Sequence, residues 1–218
     1  MKHLVSSIAL AGLLFSCNSP EEKTSVKNEV EEVLTEEISN FVAIDSDEAL
    51  IATALMAAPE NSREGCKVIG YNMKGEFVTL KEGDNEFICL AYNSKLEGFS
   101  SACYHKSLEP FMARGRELKA EGKDSEETFN IREEEVKSGK LEMGSMGSTL
   151  HLYFGGEALY NPETAEVKGA IYRYVVYMPW ATAETTGLPV IPKGSNHPWL
   201  MNPGTHKAHI MISPLAGE

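Results

Sequence analysis

The run Ala170-Ile171-Tyr172-Arg173-Tyr174-Val175-Val176-Tyr177-Met178 is apolar or aromatic at almost every position. A half-exposed strand alternates polar and apolar residues, so a run this continuous reads as a central strand covered on both faces. A chain holding such a strand must build layers around a sheet. Leu150, Leu152 and Phe154 alternate with Thr149, His151 and Tyr153, the pattern of a half-buried neighbouring strand. His209-Ile210-Met211-Ile212 reads as a last strand. With 218 residues, 42% hydrophobic and 24% charged, the chain excludes a disordered polymer, a collagen repeat and a multi-span membrane protein.

Upstream the pattern is mixed. Asp45 with Glu48 resembles a helix capping pair, and the apolar run Ala49–Ala58 ends at Pro59. That helix must be buried on more than one side. Lys67–Tyr71, Phe77–Leu80 and Phe87–Tyr92 are short β segments separated by Asn72-Met73-Lys74-Gly75 and Glu82-Gly83-Asp84-Asn85, and they read as an antiparallel meander. Ser107 is a candidate cap for a helix whose inner face is Leu108, Phe111, Met112, Gly115 and Leu118. Ser125 is a candidate cap for a second, carrying Phe129, Arg132 and Val136 and ended by Gly139. Residues 187–206, rich in Pro and Gly, read as one long loop. The expected class is α+β in a single compact domain over 45–218, with a meander, two or three helices and a C-terminal pair of strands.

The N-terminus carries a different signal. Met1-Lys2-His3 is a short positive start, and residues 4–15 are apolar except for Ser6 and Ser7. This stretch is too short to span a bilayer but fits the apolar part of a signal peptide. It ends in Leu14-Phe15-Ser16-Cys17, which resembles the lipobox of bacterial lipoproteins, with Phe15 bulkier than usual. The resemblance implies cleavage after residue 16, lipidation of Cys17 and a lipid-anchored place in the bacterial cell envelope, at the outer membrane or a periplasmic face rather than a cytoplasmic one. The alternatives are an ordinary secretory signal with a chance cysteine, or an uncleaved anchor. Residues 17–44 would then be the lipidated cysteine and an acidic tether. Within it Val26, Val30, Val33, Leu34, Ile38 and Phe41 recur at helical spacing. The net charge of −12 and the absence of a basic patch argue against a nucleic-acid partner. An acidic body is also repelled by anionic lipid, which leaves the acyl chains as the contact with the membrane.

Several side chains are candidates for chemistry. Besides Cys17 there are Cys66, Cys89 and Cys103. In a meander, Cys66 and Cys89 fall on outer strands with one strand between them, too far apart for a disulfide. Cys89–Cys103 is therefore the expected bridge, with three unpaired buried thiols as the alternative. Such a loop would contribute roughly 3 kcal/mol through chain entropy. Cys103 and His105 would share a face of a strand, as a nucleophile and base or as metal ligands. His206 and His209 have HxxH spacing. On a strand they point to opposite faces, so joint ligation needs a bend at Gly204-Thr205. With Cys103, His105, His151 or His197 they would make a zinc or copper site; otherwise no cofactor is expected. Trp180, Trp199 and Tyr174, beside the Pro/Gly-rich loop, are candidates to line a groove for a small ligand; alternatively, Trp199 merely pins the loop to the core. The sequence holds no nucleophile elbow, Walker A loop, dinucleotide fingerprint, HExxH or CxxCH.

The stretches Ala102–Leu118 and Pro198–Met211 together resemble a group of uncharacterised bacterial exported proteins of about this length. The resemblance covers about residues 45–213 and carries no activity. The leading expectation is thus a lipid-anchored, non-enzymatic envelope protein that binds a small ligand or an envelope protein. The alternative is an envelope enzyme or metal-binding protein using Cys103, His105, His206 and His209.

Overall fold

The computed structural model describes residues 40–194 and 197–213. The expected signal peptide, Cys17 and most of the expected tether lie outside the described residues. The fold is mixed α+β, as expected: an eight-stranded sheet with helices on both faces, plus a two-stranded ribbon. The strands are β1 (Val42–Ala43), β2 (Lys67–Tyr71), β3 (Phe77–Lys81), β4 (Phe87–Leu90), β5 (Phe99–His105), β6 (Thr149–Gly155), β7 (Leu159–Tyr160), β8 (Ile171–Tyr177), β9 (Trp199–Met201) and β10 (His209–Ile212). The helices are α1 (Asp47–Leu55), α2 (Glu109–Ala120), α3 (Ser125–Lys137) and the single turn α4 (Ala183–Thr186). Val42 and Ala43, expected in the tether, pair with β7. Trp199–Met201, expected in a loop, form the edge strand β9 against β10.

The helix starts shift slightly from the sequence reading. Ser46, rather than Asp45, caps α1 by accepting the Ala49 amide. The α2 helix has no side-chain cap and follows a short 3₁₀ turn over Lys106–Leu108, in which Ser107 sits. Asp124 caps α3 in a reciprocal box with Glu127, so Ser125 is its first residue.

The strand order is β3-β2-β4-β5-β6-β8-β10-β9. This corrects the meander: β4 lies beside β2, parallel to it, and β3 lies on the far side of β2. A tight hairpin joins strands one spacing apart, whereas β3 and β4 are two spacings apart, about 9.6 Å. The five residues 82–86 span that gap by crossing over the start of β2. Gly83 marks the crossing, because a Cβ there would lie 2.2 Å from the Lys67 amide nitrogen.

One face of the sheet is covered by α1, which packs Ala49, Leu50 and Ala54 around Val68, Phe99 and Tyr153. The other face carries Tyr104, Val175, Tyr177 and Met211 beneath Leu108 and Phe111. A nine-residue helix is only about 14 Å long, and α1 lies mainly over β2 through β5. Hence Val175 and Tyr177 of β8 are buried, while Tyr172 and Tyr174 on the α1 side are half-buried. The double covering read from residues 170–178 is complete on one face only.

Candidate metal centre

The strand order brings three cysteines together. Cys89 of β4 pairs directly with Cys103 of β5, so both side chains stand on the α1 face. In the parallel pair, Val68 of β2 registers with Cys89. Cys66 precedes Val68 by two residues and therefore points to the same face. The three sulfur atoms all lie within 4.8 Å of one another, and all three cysteines are fully buried and free. The expected Cys89–Cys103 disulfide is not formed in the structure, where the two face each other as free thiols. The exclusion of Cys66 is corrected as well, because no strand separates β2 from β4.

Charge at the cluster is uneven. As a thiol, Cys66 donates to the Ser62 carbonyl at 3.1 Å. As a thiolate, it accepts from the thiols of Cys103 and Cys89 and from the Asn85 amide, with the Lys81 ammonium nearby, and its pKa falls far below the ordinary thiol value. Cys89 moves the other way: its bond with Cys103 favours ionisation, but donation to Cys66 and burial outweigh it. Donation to Cys66 and Cys89, together with burial, holds Cys103 protonated. Three negative sulfurs this close repel strongly in a buried site, so without a cation the cluster does not hold all three as thiolates.

Three convergent thiol sulfurs are a donor set for a soft cation. Cysteine thiolates favour zinc, cuprous copper and iron–sulfur clusters over magnesium or calcium. Among the described residues no His, Asp or Glu joins the three sulfurs in one cluster. A bound zinc would therefore keep its fourth position for an outside ligand, whereas three thiolates complete a trigonal cuprous site.

The histidines expected beside Cys103 go elsewhere. His105 ends β5, with Nδ1 2.8 Å from Ser107 Oγ, which in turn is 2.9 Å from Ser148 Oγ. The Ser107 amide also donates to that Nδ1, so His105 caps the 3₁₀ turn. His206 and His209 lie with the α2/α3 layer, on the opposite side of the sheet. His206 is fully buried; its Nδ1 donates to Glu133 at 3.0 Å and its ring meets Phe129 and Phe111 edge-on. His209 Nδ1 donates to the Lys207 carbonyl at 2.8 Å. Cys103, His105, His206 and His209 form no common site. His151 does stand opposite Cys103, but its ring is held by the Tyr172 hydroxyl and by Thr149 Oγ1. The aromatic candidates also separate. Tyr174 stacks on His151 on the α1 face, Trp199 packs on the opposite face beside Arg173, and Trp180 sits in the turn after β8 with its amide bonded to Thr205. They line no common groove.

Comparison of the chain with protein-family models, with curated proteins and with solved structures finds no match. The sequence held one signal for the cluster. The five residues between Lys81 and Phe87 exceed a two-residue hairpin, which leaves room for β4 to land beside β2 rather than β3.

Proposed function

We propose that this chain is a lipid-anchored bacterial envelope protein that holds a thiophilic cation, zinc or cuprous copper, on Cys66, Cys89 and Cys103. One observation carries the reading: three buried, free cysteine sulfurs within 4.8 Å of one another. Supporting it is the signal-like N-terminus, which routes the chain to a compartment where close thiols oxidise. A bound cation keeps such thiols out of oxidation by holding them as ligands. The anchor of this reading is Cys17.

The test is the metal content of the full chain purified under reducing conditions without chelators. Close to one equivalent of zinc or copper is expected, lost in Cys103→Ala and kept in His209→Ala. A metal-free wild type under cation-replete conditions, or metal retained by Cys103→Ala, overturns the reading. The direct register of Cys89 with Cys103 supports a second reading, a disulfide with Cys66 left over. In chain purified without reductant it predicts one titratable thiol among these three cysteines after denaturation in chelator, where the metal reading predicts three.

A further inference from the structure

We infer, building on the proposed metal site, that the cleft bordered by Ser62, Glu64, Lys81, Glu82, Asp84 and Asn85 is the route by which the cation reaches Cys66. The cleft is a depression open to solvent, with a volume of about 660 Å³. Two of its wall residues touch the Cys66 sulfur: the Ser62 carbonyl at 3.1 Å and the Asn85 amide at 3.8 Å. Cys89 and Cys103 stand on the next two strands inward, beneath α1. A cation arriving from this cleft therefore meets Cys66 first and the other two sulfurs after.

The wall is built to draw a cation and to close over it. Three carboxylates, Glu64, Glu82 and Asp84, line the cleft with the one ammonium of Lys81, and Glu82 also pairs with Lys67 at 3.3 Å. The Lys81 ammonium is held at the Cys66 end of the cleft by the carbonyls of Glu64 at 2.6 Å and Cys66 at 3.0 Å. An excess of one sign of charge in a cleft concentrates the opposite ion and raises its association rate. Asn85 is the closing residue. Its amide donates to the Ser62 carbonyl at 2.7 Å, and its side-chain oxygen accepts the Phe87 amide at 2.9 Å. These bonds hold the carboxamide across the cleft floor, above the Cys66 sulfur. Passage requires breaking the Asn85–Ser62 bond.

The experiment is stopped-flow mixing of the reduced full chain with cadmium, followed by the thiolate-to-cadmium ultraviolet band, with an equilibrium titration alongside. Wild type is expected to bind one cadmium. The double variant Glu82→Gln/Asp84→Asn is expected to bind one as well, but about three- to tenfold more slowly at low ionic strength, with the difference shrinking at high salt. Asn85→Ala is expected to speed both uptake and release. Unchanged uptake in both variants, with one cadmium still bound, overturns the route and leaves the metal site standing. So does slowing confined to Tyr174→Phe, at the other end of the thiol row. A wild type that binds no cadmium overturns both the route and the site beneath it.

Discussion

Cys89 and Cys103 face each other across two strands, and each gives up a proton only when something positive arrives. Cys66 differs, because its neighbours already favour the thiolate. A cation that takes all three as thiolates must therefore displace about two protons near neutral pH, and its affinity rises with pH by up to about a hundredfold per unit. Titration of cadmium in two buffers of different ionisation enthalpy measures that number. Three protons would mean that Cys66 is a thiol held by Ser62, and one would mean that Cys89 or Cys103 stays out of the site. At this scale the sequence was half legible. It showed the cysteines as the group to explain and kept three unpaired thiols as an alternative. It misread their grouping, because which strands are neighbours follows from strand order, which alternation alone does not encode. The histidines misled for a related reason: His206 reads as a ligand in HxxH spacing, but it is a buried ring held by Glu133 between two phenylalanines.

Among the elements, the segment Glu82–Glu86 decides most. It carries the chain from β3 across the start of β2 and so sets β4 beside Cys66. The closest approach is at Gly83, where an added Cβ would lie 2.3 Å from the Cys66 carbonyl carbon and 2.5 Å from the Gly65 oxygen. Both are backbone atoms, so relief requires moving a strand. Gly83→Ala is expected to lower stability by about 1–3 kcal/mol, the range for overpacking. It should also weaken cadmium binding, though less than the loss of a ligand in Cys66→Ser, because it shifts the crossing segment and Asn85 while leaving all three sulfurs. Urea unfolding and cadmium titration of the variant check both. A Gly83→Ala variant as stable as wild type would mean that the crossing is looser than described. The helices were more legible than the strands: α1, α2 and α3 begin within a residue or two of their expected caps, because capping and apolar spacing are local. The parallel β2/β4 pair was not legible, since it depends on a connection whose residues are individually ordinary turn formers.

In the whole molecule, the mixed sheet has two differently furnished faces, with the thiols under α1 and two buried histidines under α2 and α3. Burial lowers the pKa of His151, His206 and His209. The unfolded chain therefore binds more protons than the folded one once the pH drops below about 6.5. Their contribution to stability is complete above that value and declines as pH falls through the lowered folded values. Thermal melts at pH 7.5 and 5.5 should show the loss, and His209→Gln should reduce its size. A melting temperature independent of pH over that range would contradict neutral burial of the three rings. The α+β class was legible at this scale because helical and alternating stretches are distinct in the sequence. The unequal covering of the two faces was not, because it depends on how few strands a nine-residue helix can reach. The thiol cluster is the centre of the molecule's proposed chemistry, and the most direct measurement is X-ray absorption at the zinc edge of the zinc-loaded full chain. Three sulfur scatterers at about 2.3 Å, with at most one lighter ligand, are the predicted first shell. A shell of nitrogen and oxygen alone would contradict it.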